Sequence, residues 1–173
     1  MIKKIFFTII LSITLVSNSY SAGSSSGGEG DGPKTKTNYE KAVKLIKSAN
    51  KYEKKGKKDK AKSSYEKALK LLLKSNNKKP NKPDTLNYLG FTSRKLGDFE
   101  NGEKYYLQGL AISPYHIGIN EYLGELYVAT NRHNLAVERL EVLKGCDCKE
   151  YDDLKAIIAL SLIHIWRCRR VTQ

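Results

Sequence analysis

Apolar residues in this chain recur at three- and four-residue spacing, the period of a helix face. Tyr39, Ala42, Val43, Ile46, Ala49 and Tyr52 form one such stripe. Thr37-x-x-Glu40 stands at its start as a capping box, in which the two side chains satisfy each other's backbone amides. A second stripe, Tyr151, Leu154, Ile157 and Ile158, predicts a helix from Lys149 to about Ala159.

Between these stripes the pattern repeats. Tyr88-Leu89-Gly90 returns as Tyr122-Leu123-Gly124, an offset of 34 residues. A period of that length marks stacked helix-turn-helix units. Gly97 ends the first helix of one unit. Gly102, Tyr106 and Gly109 then lie where its second helix must approach the first, and Pro114 closes the unit. Small residues let two helix axes come together, and a large apolar residue fills the gap left between them. In the next unit Ala136 takes the small site and Leu140 the large one. A degenerate unit lies upstream, where Gly56 aligns with Gly97 and Ala61, Tyr65 and Ala68 give small, large, small. Twelve residues separate Ala68 from Pro80, against five between Gly109 and Pro114, so its second helix should be about two turns longer.

Leu89-Gly90, Leu96-Gly97-Asp98-Phe99 and Pro114 are the residues on which this chain resembles the tetratricopeptide repeat (TPR) family. The resemblance covers about residues 38–148. It implies an all-α fold, a right-handed solenoid of about three helix pairs with a C-terminal capping helix. The repeats are expected at about 42–82, 83–116 and 117–148, with the cap at 149–159. Copy three departs from the pattern at its end, where Gly145-Cys146-Asp147-Cys148 replaces the run into proline. Six of the 11 tyrosines, Tyr52, Tyr65, Tyr88, Tyr106, Tyr122 and Tyr127, fall on packing positions and are expected in the core.

The resemblance also implies a binding groove lined by the first helix of each pair. Its groove positions map onto Val43, Ile46, Asn50, Glu53 and Lys54 in copy one. They map onto Asp84, Asn87, Phe91, Arg94 and Lys95 in copy two, and onto Gly118, Glu121, Glu125, Val128 and Ala129 in copy three. Asn50 stands where the family often holds a peptide backbone with an amide, which donates and accepts together. Ile46 replaces a family lysine and Glu121 and Glu125 are acidic, so the set for clamping a terminal carboxylate is incomplete. The expectation is a mixed-charge or extended peptide, with Phe91 as apolar anchor and Arg94 for an acidic group. The alternative for each of these residues is a solvated helix face.

The ends of the chain read differently. Met1 to Ser21 has a positive start at Lys3 and Lys4, an apolar run from Ile5 to Val16, and small residues at Ser19 and Ser21. This is the form of a cleaved secretory signal, and it predicts export, in a bacterium to the periplasm. The apolar run is well short of the roughly 20 residues of a membrane-spanning helix. Residues 22–37 are Gly, Ser and charge, a flexible linker that can join no core. At the other end, Leu160 to Arg170 resembles a translated transposon-based sequencing adapter. Residues 160–173 are therefore set aside as a non-native tail, the alternative being a basic amphipathic end.

Charge divides the chain. Lys34 to Lys82 holds 18 Lys and 4 acids, whereas Pro83 to Ile165 holds 8 Lys or Arg and 12 acids. Such a basic segment suits an anionic envelope surface or an acidic partner, or serves solubility alone. Export and the lack of interleaved aromatics argue against nucleic acid. Cys146-Asp147-Cys148 allows three readings: a plain turn with Asp147 capping the next helix, a local disulfide in an oxidising compartment, or a weak metal site. His116 and His133 fall near turns without a visible Ser, Cys or carboxylate partner set.

No nucleophile motif, phosphate loop or paired-acid constellation is present, and nothing calls for a cofactor. Two functions fit these features. One is an exported, non-catalytic adaptor that binds a peptide or partner protein in its groove. The other is an envelope structural module held on an anionic surface by its Lys-rich helices.

Overall fold

A computed structural model describes residues 36–171, with side chains through Ser161. The signal segment and residues 22–35 of the linker lie outside the described residues. Seven α-helices are present among those described: α1 (Asn38–Lys54), α2 (Lys58–Lys78), α3 (Pro83–Lys95), α4 (Phe99–Ile112), α5 (Ile117–Ala129), α6 (His133–Leu143) and α7 (Lys149–Val171). The first six form three hairpins, α1–α2, α3–α4 and α5–α6, stacked in chain order. None of the described helices is long and apolar enough to cross a membrane.

Local chemistry sets the helix ends. Thr37 Oγ1 accepts from Glu40 N at 3.2 Å and Thr37 N donates to Glu40 Oε2 at 2.8 Å, a complete capping box. Gly56 and Gly97 turn the chain between hairpin helices at φ 68 and 90, where a Cβ would strain the backbone. In the third hairpin Asn131, 34 residues after Gly97, makes the same turn at φ 59. Asp98 then caps α4 through Asn101 N at 3.1 Å. The 21 residues of α2 exceed the 14 of α4 by seven, which is about two turns.

Packing follows the small-large rule. A Cβ at Gly102 would stand 3.2 Å from the Gly90 carbonyl, so α3 and α4 cross nearly backbone to backbone. Tyr106 fills the space beside Gly90, Ile119 that beside Gly109, and Leu154 that beside Gly124. Tyr65, Leu72, Leu86, Leu89 and Phe91 belong to one buried cluster; Tyr106, Leu123, Leu126, Leu143 and Leu154 belong to a second. Tyr122 packs on both, which makes the core continuous along the stack.

The last helix differs from expectation. Leu154 and Ile158 are buried and α7 packs on α5 and α6, the place of a cap. It runs on to Val171, twelve residues beyond Ala159. Residues 149–171 contain neither Gly nor Pro, so nothing in them stops a helix. Asp147 does not cap it: the helix begins at Lys149, and Asp147 sits two residues earlier in the left-handed region at φ 43.

Candidate functional site

The groove positions are carried by α1, α3 and α5, and neighbouring members of the set meet. Lys95 Nζ of α3 bonds Glu53 Oε2 of α1 at 2.8 Å. Arg94 Nη2 of α3 pairs with Glu125 Oε2 of α5 at 2.5 Å. Asp84 Oδ1 lies 3.2 Å from His116 Nε2, just before α5. The three pairs link each first helix to the next. The Arg94–Glu125 pair is the least exposed, at 12% and 19%, and so is screened least by solvent.

These contacts leave less free surface than the sequence pattern implies. Phe91 is only 6% exposed. Its ring sits 4.9 Å from Tyr122 and 6.2 Å from Tyr65, with the Arg94 guanidinium 5.7 Å away. It is therefore a core residue between successive hairpins, and the apolar-anchor expectation is corrected. Arg94 is committed to Glu125, and Asn50 Oδ1 accepts from the Tyr65 hydroxyl at 2.5 Å. Asn87 is buried with its Oδ1 unpartnered, and Glu121 is 6% exposed. Lys54, Asp84 and Lys95 remain exposed.

Glu121 carries the largest carboxylate perturbation. Burial pushes its pKa up to about 8, helped by Glu125, Glu150 and Asp153, while Lys149 works in the opposite direction. The folded state keeps a proton that the unfolded chain releases near its ordinary value of 4.5. Stability therefore falls as pH rises through the window from about 4.5 to 8. Glu121→Gln should stabilise the fold by about 2 kcal/mol at pH 8 and by nothing below pH 4.5. Urea midpoints at pH 4, 6 and 8 check this; a gain that did not vary with pH would refute it.

The histidines have partners that spacing did not reveal. His116 Nδ1 accepts from Ile119 N at 3.2 Å and so caps α5. That bond fixes the tautomer and leaves Nε2–H to donate to Asp84. The carboxylate partner comes from 32 residues away. His133 Nε2 contacts Ser161 Oγ. Cys146 and Cys148 form a disulfide in the turn before α7. No group of three His, Cys, Asp or Glu able to hold a metal occurs among the described residues.

Two features escaped sequence reasoning. One is a buried polar centre in which the Tyr106 hydroxyl lies beside Arg94 and its partner Glu125. The other is a cleft of about 540 Å³ at the start of the stack, lined by Lys36, Lys78, Lys79 and Lys82 from segments far apart in the chain. The lysine count of residues 34–82 was the available signal for the second.

Comparison with known families matches the tetratricopeptide repeat at residues 45–71 and 84–116, in the first and second hairpins. The chain carries tetratricopeptide repeats in its first two hairpins. The third hairpin of this TPR protein lies outside the matched residues and is placed by its helices. Among solved structures, the TPR fold is similar to the first TPR of Spaghetti (RPAP3) bound to HSP90 peptide SRMEEVD. That similarity has 21% identity and a TM-score of 0.51, and covers 73% of this chain and 97% of that one. The search of curated proteins finds no match.

Proposed function

We propose that this TPR protein is a scaffold that holds a peptide segment of a partner protein against α1, α3 and α5 without catalysis. The observation that carries the proposal is the pair of TPR matches on the first two hairpins, whose first helices present Lys54, Asp84 and Lys95 to solvent. The similar solved structure holds a peptide, which favours the same mode here. The proposal includes export to a bacterial periplasm, which the signal-like form of Met1 to Ser21 supports.

The test is a peptide-display library panned against the chain, followed by titration of the selected peptide. Lys54→Glu/Lys95→Gln alters two exposed groove positions that do not line the cleft at the start of the stack, and should leave the fold intact. The variant should bind at least tenfold more weakly. Unchanged affinity would sink the groove reading.

A second reading is favoured by charge. Lys60, Lys67, Lys70 and Lys74 fall within roughly 80° of arc on α2, at about 100° per residue, opposite its buried Ala61, Tyr65, Ala68 and Leu72. Such a stripe would hold the module on an anionic envelope surface, and binding through it would weaken steeply with salt.

A further inference from the structure

The geometry points to a second binding site, which shares only Asp84 with the groove positions, for an acidic peptide segment: the cleft between the start of α1, the end of α2 and the start of α3. This goes beyond the scaffold reading and does not depend on it. The cleft encloses about 540 Å³, within the roughly 300–1,000 Å³ of ligand pockets. Lys36, Lys78, Lys79 and Lys82 line it. Among the described residues Asp84 is the one acid in its wall, and that carboxylate already faces His116. None of the four lysines takes part in an ion pair among the described residues. Four cations lining one concave space repel, and a polyanion relieves that repulsion.

The backbone presents these charges from a stiffened turn. Lys79-Pro80-Asn81-Lys82-Pro83 contains two prolines, and Asn81 sits at φ 60. Less chain entropy is therefore lost when a ligand fixes the lysines than in a free loop. Lys82 gives α3 no side-chain cap, so the first-turn amides at Asp84 and Thr85 remain as donors in the wall. Tyr39 packs edge-on against Tyr88 at 5.8 Å and adds an apolar surface. Burial, with Asp84 and Tyr88, pushes the Tyr39 pKa up to about 12, so its hydroxyl stays a neutral donor.

Shape selects the class of anion. A lipid surface would meet the outward lysines of α2, whereas this site is recessed between three segments. Its volume exceeds what one inorganic anion fills, and its cations come from both ends of a 42-residue separation, Lys36 to Lys78. An extended peptide with successive acidic side chains fits both features.

The test titrates the full chain into a fluorescein-labelled octaglutamate peptide and follows anisotropy at physiological salt. Lys78→Glu/Lys82→Glu changes the cleft. Lys44→Glu/Lys51→Glu makes the same charge change on the exposed face of α1. Thermal melts followed by circular dichroism establish that both variants fold. The cleft variant should bind at least tenfold more weakly and the control within about threefold of the parent. Equal losses in the two variants, or no binding by the parent, would overturn the proposal. So would full displacement of the peptide by inorganic phosphate at 10 mM, which would indicate a single-anion site. Binding to phosphatidylglycerol vesicles that the cleft variant abolishes, without peptide binding, would assign the cleft to a membrane and also overturn it.

Discussion

Gly90→Leu should destabilise the fold by about 3 kcal/mol, even though leucine is the better helix former. A side chain at position 90 would remove a helix cost of roughly 0.5–1 kcal/mol that glycine carries. It would also place a Cβ 2.5 Å from Tyr106 Cε1 and 2.6 Å from Cδ1. The Tyr106 ring is fully buried and cannot swing into solvent. Overpacking of this kind costs about 1–3 kcal/mol and exceeds the propensity gain, more so for a branched side chain than for alanine. Tyr106→Ala alone should cost about 3–5 kcal/mol through the cavity it leaves. Joined, the two changes should be less damaging than their sum by at least about 1 kcal/mol, because leucine then occupies the space of the lost ring. Urea unfolding of the two single variants and the double variant measures that coupling. Strict additivity would mean that the ring does not fill the gap beside Gly90.

Phe91→Ala should cost about 3–4 kcal/mol of stability and lower Tm by roughly 10 °C. As a groove anchor, Phe91 would affect affinity and leave unfolding almost untouched. The packing with Tyr65 and Tyr122 argues otherwise, because truncation opens a cavity between the first and third hairpins. Lys54→Ala, at an exposed groove position, should stay within about 0.5 kcal/mol of the parent. A Phe91→Ala protein that melts with the parent would restore the anchor. A loss of partner binding in a Phe91 variant therefore requires a folded-state check before it reports on a ligand.

The contrast between Phe91 and Gly90 shows how far the pattern alone reached. Gly90 and Tyr106 were legible because they pack within one hairpin, where the turn at Gly97 fixes their register. Phe91 faces the next hairpin, and its surroundings depend on how α5 is offset against α3. Tyr122 and Glu125 arrive from that offset, covering Phe91 and taking up Arg94. A groove position inferred from one helix could not foresee what the neighbouring helix would bring. The same holds for His116, whose carboxylate partner lies in the preceding hairpin. The end of α7 was missed for a different reason: residues 160–171, not counted with the cap, have the composition to continue a helix.

Most helix positions, the glycine turns, the extra length of α2 and the fit of Tyr106 against Gly90 were legible in the chain alone. All of these rest on contacts between residues close in the chain, where 3.6-residue periodicity and left-handed turn residues leave few choices. Hairpin stacking settles which groove residues remain open, which are taken up in ion pairs between hairpins, and that Lys36, Lys78, Lys79 and Lys82 share one cleft. Those outcomes depend on how one hairpin sits on another, and that packing is set by the whole buried surface and not by any local spacing.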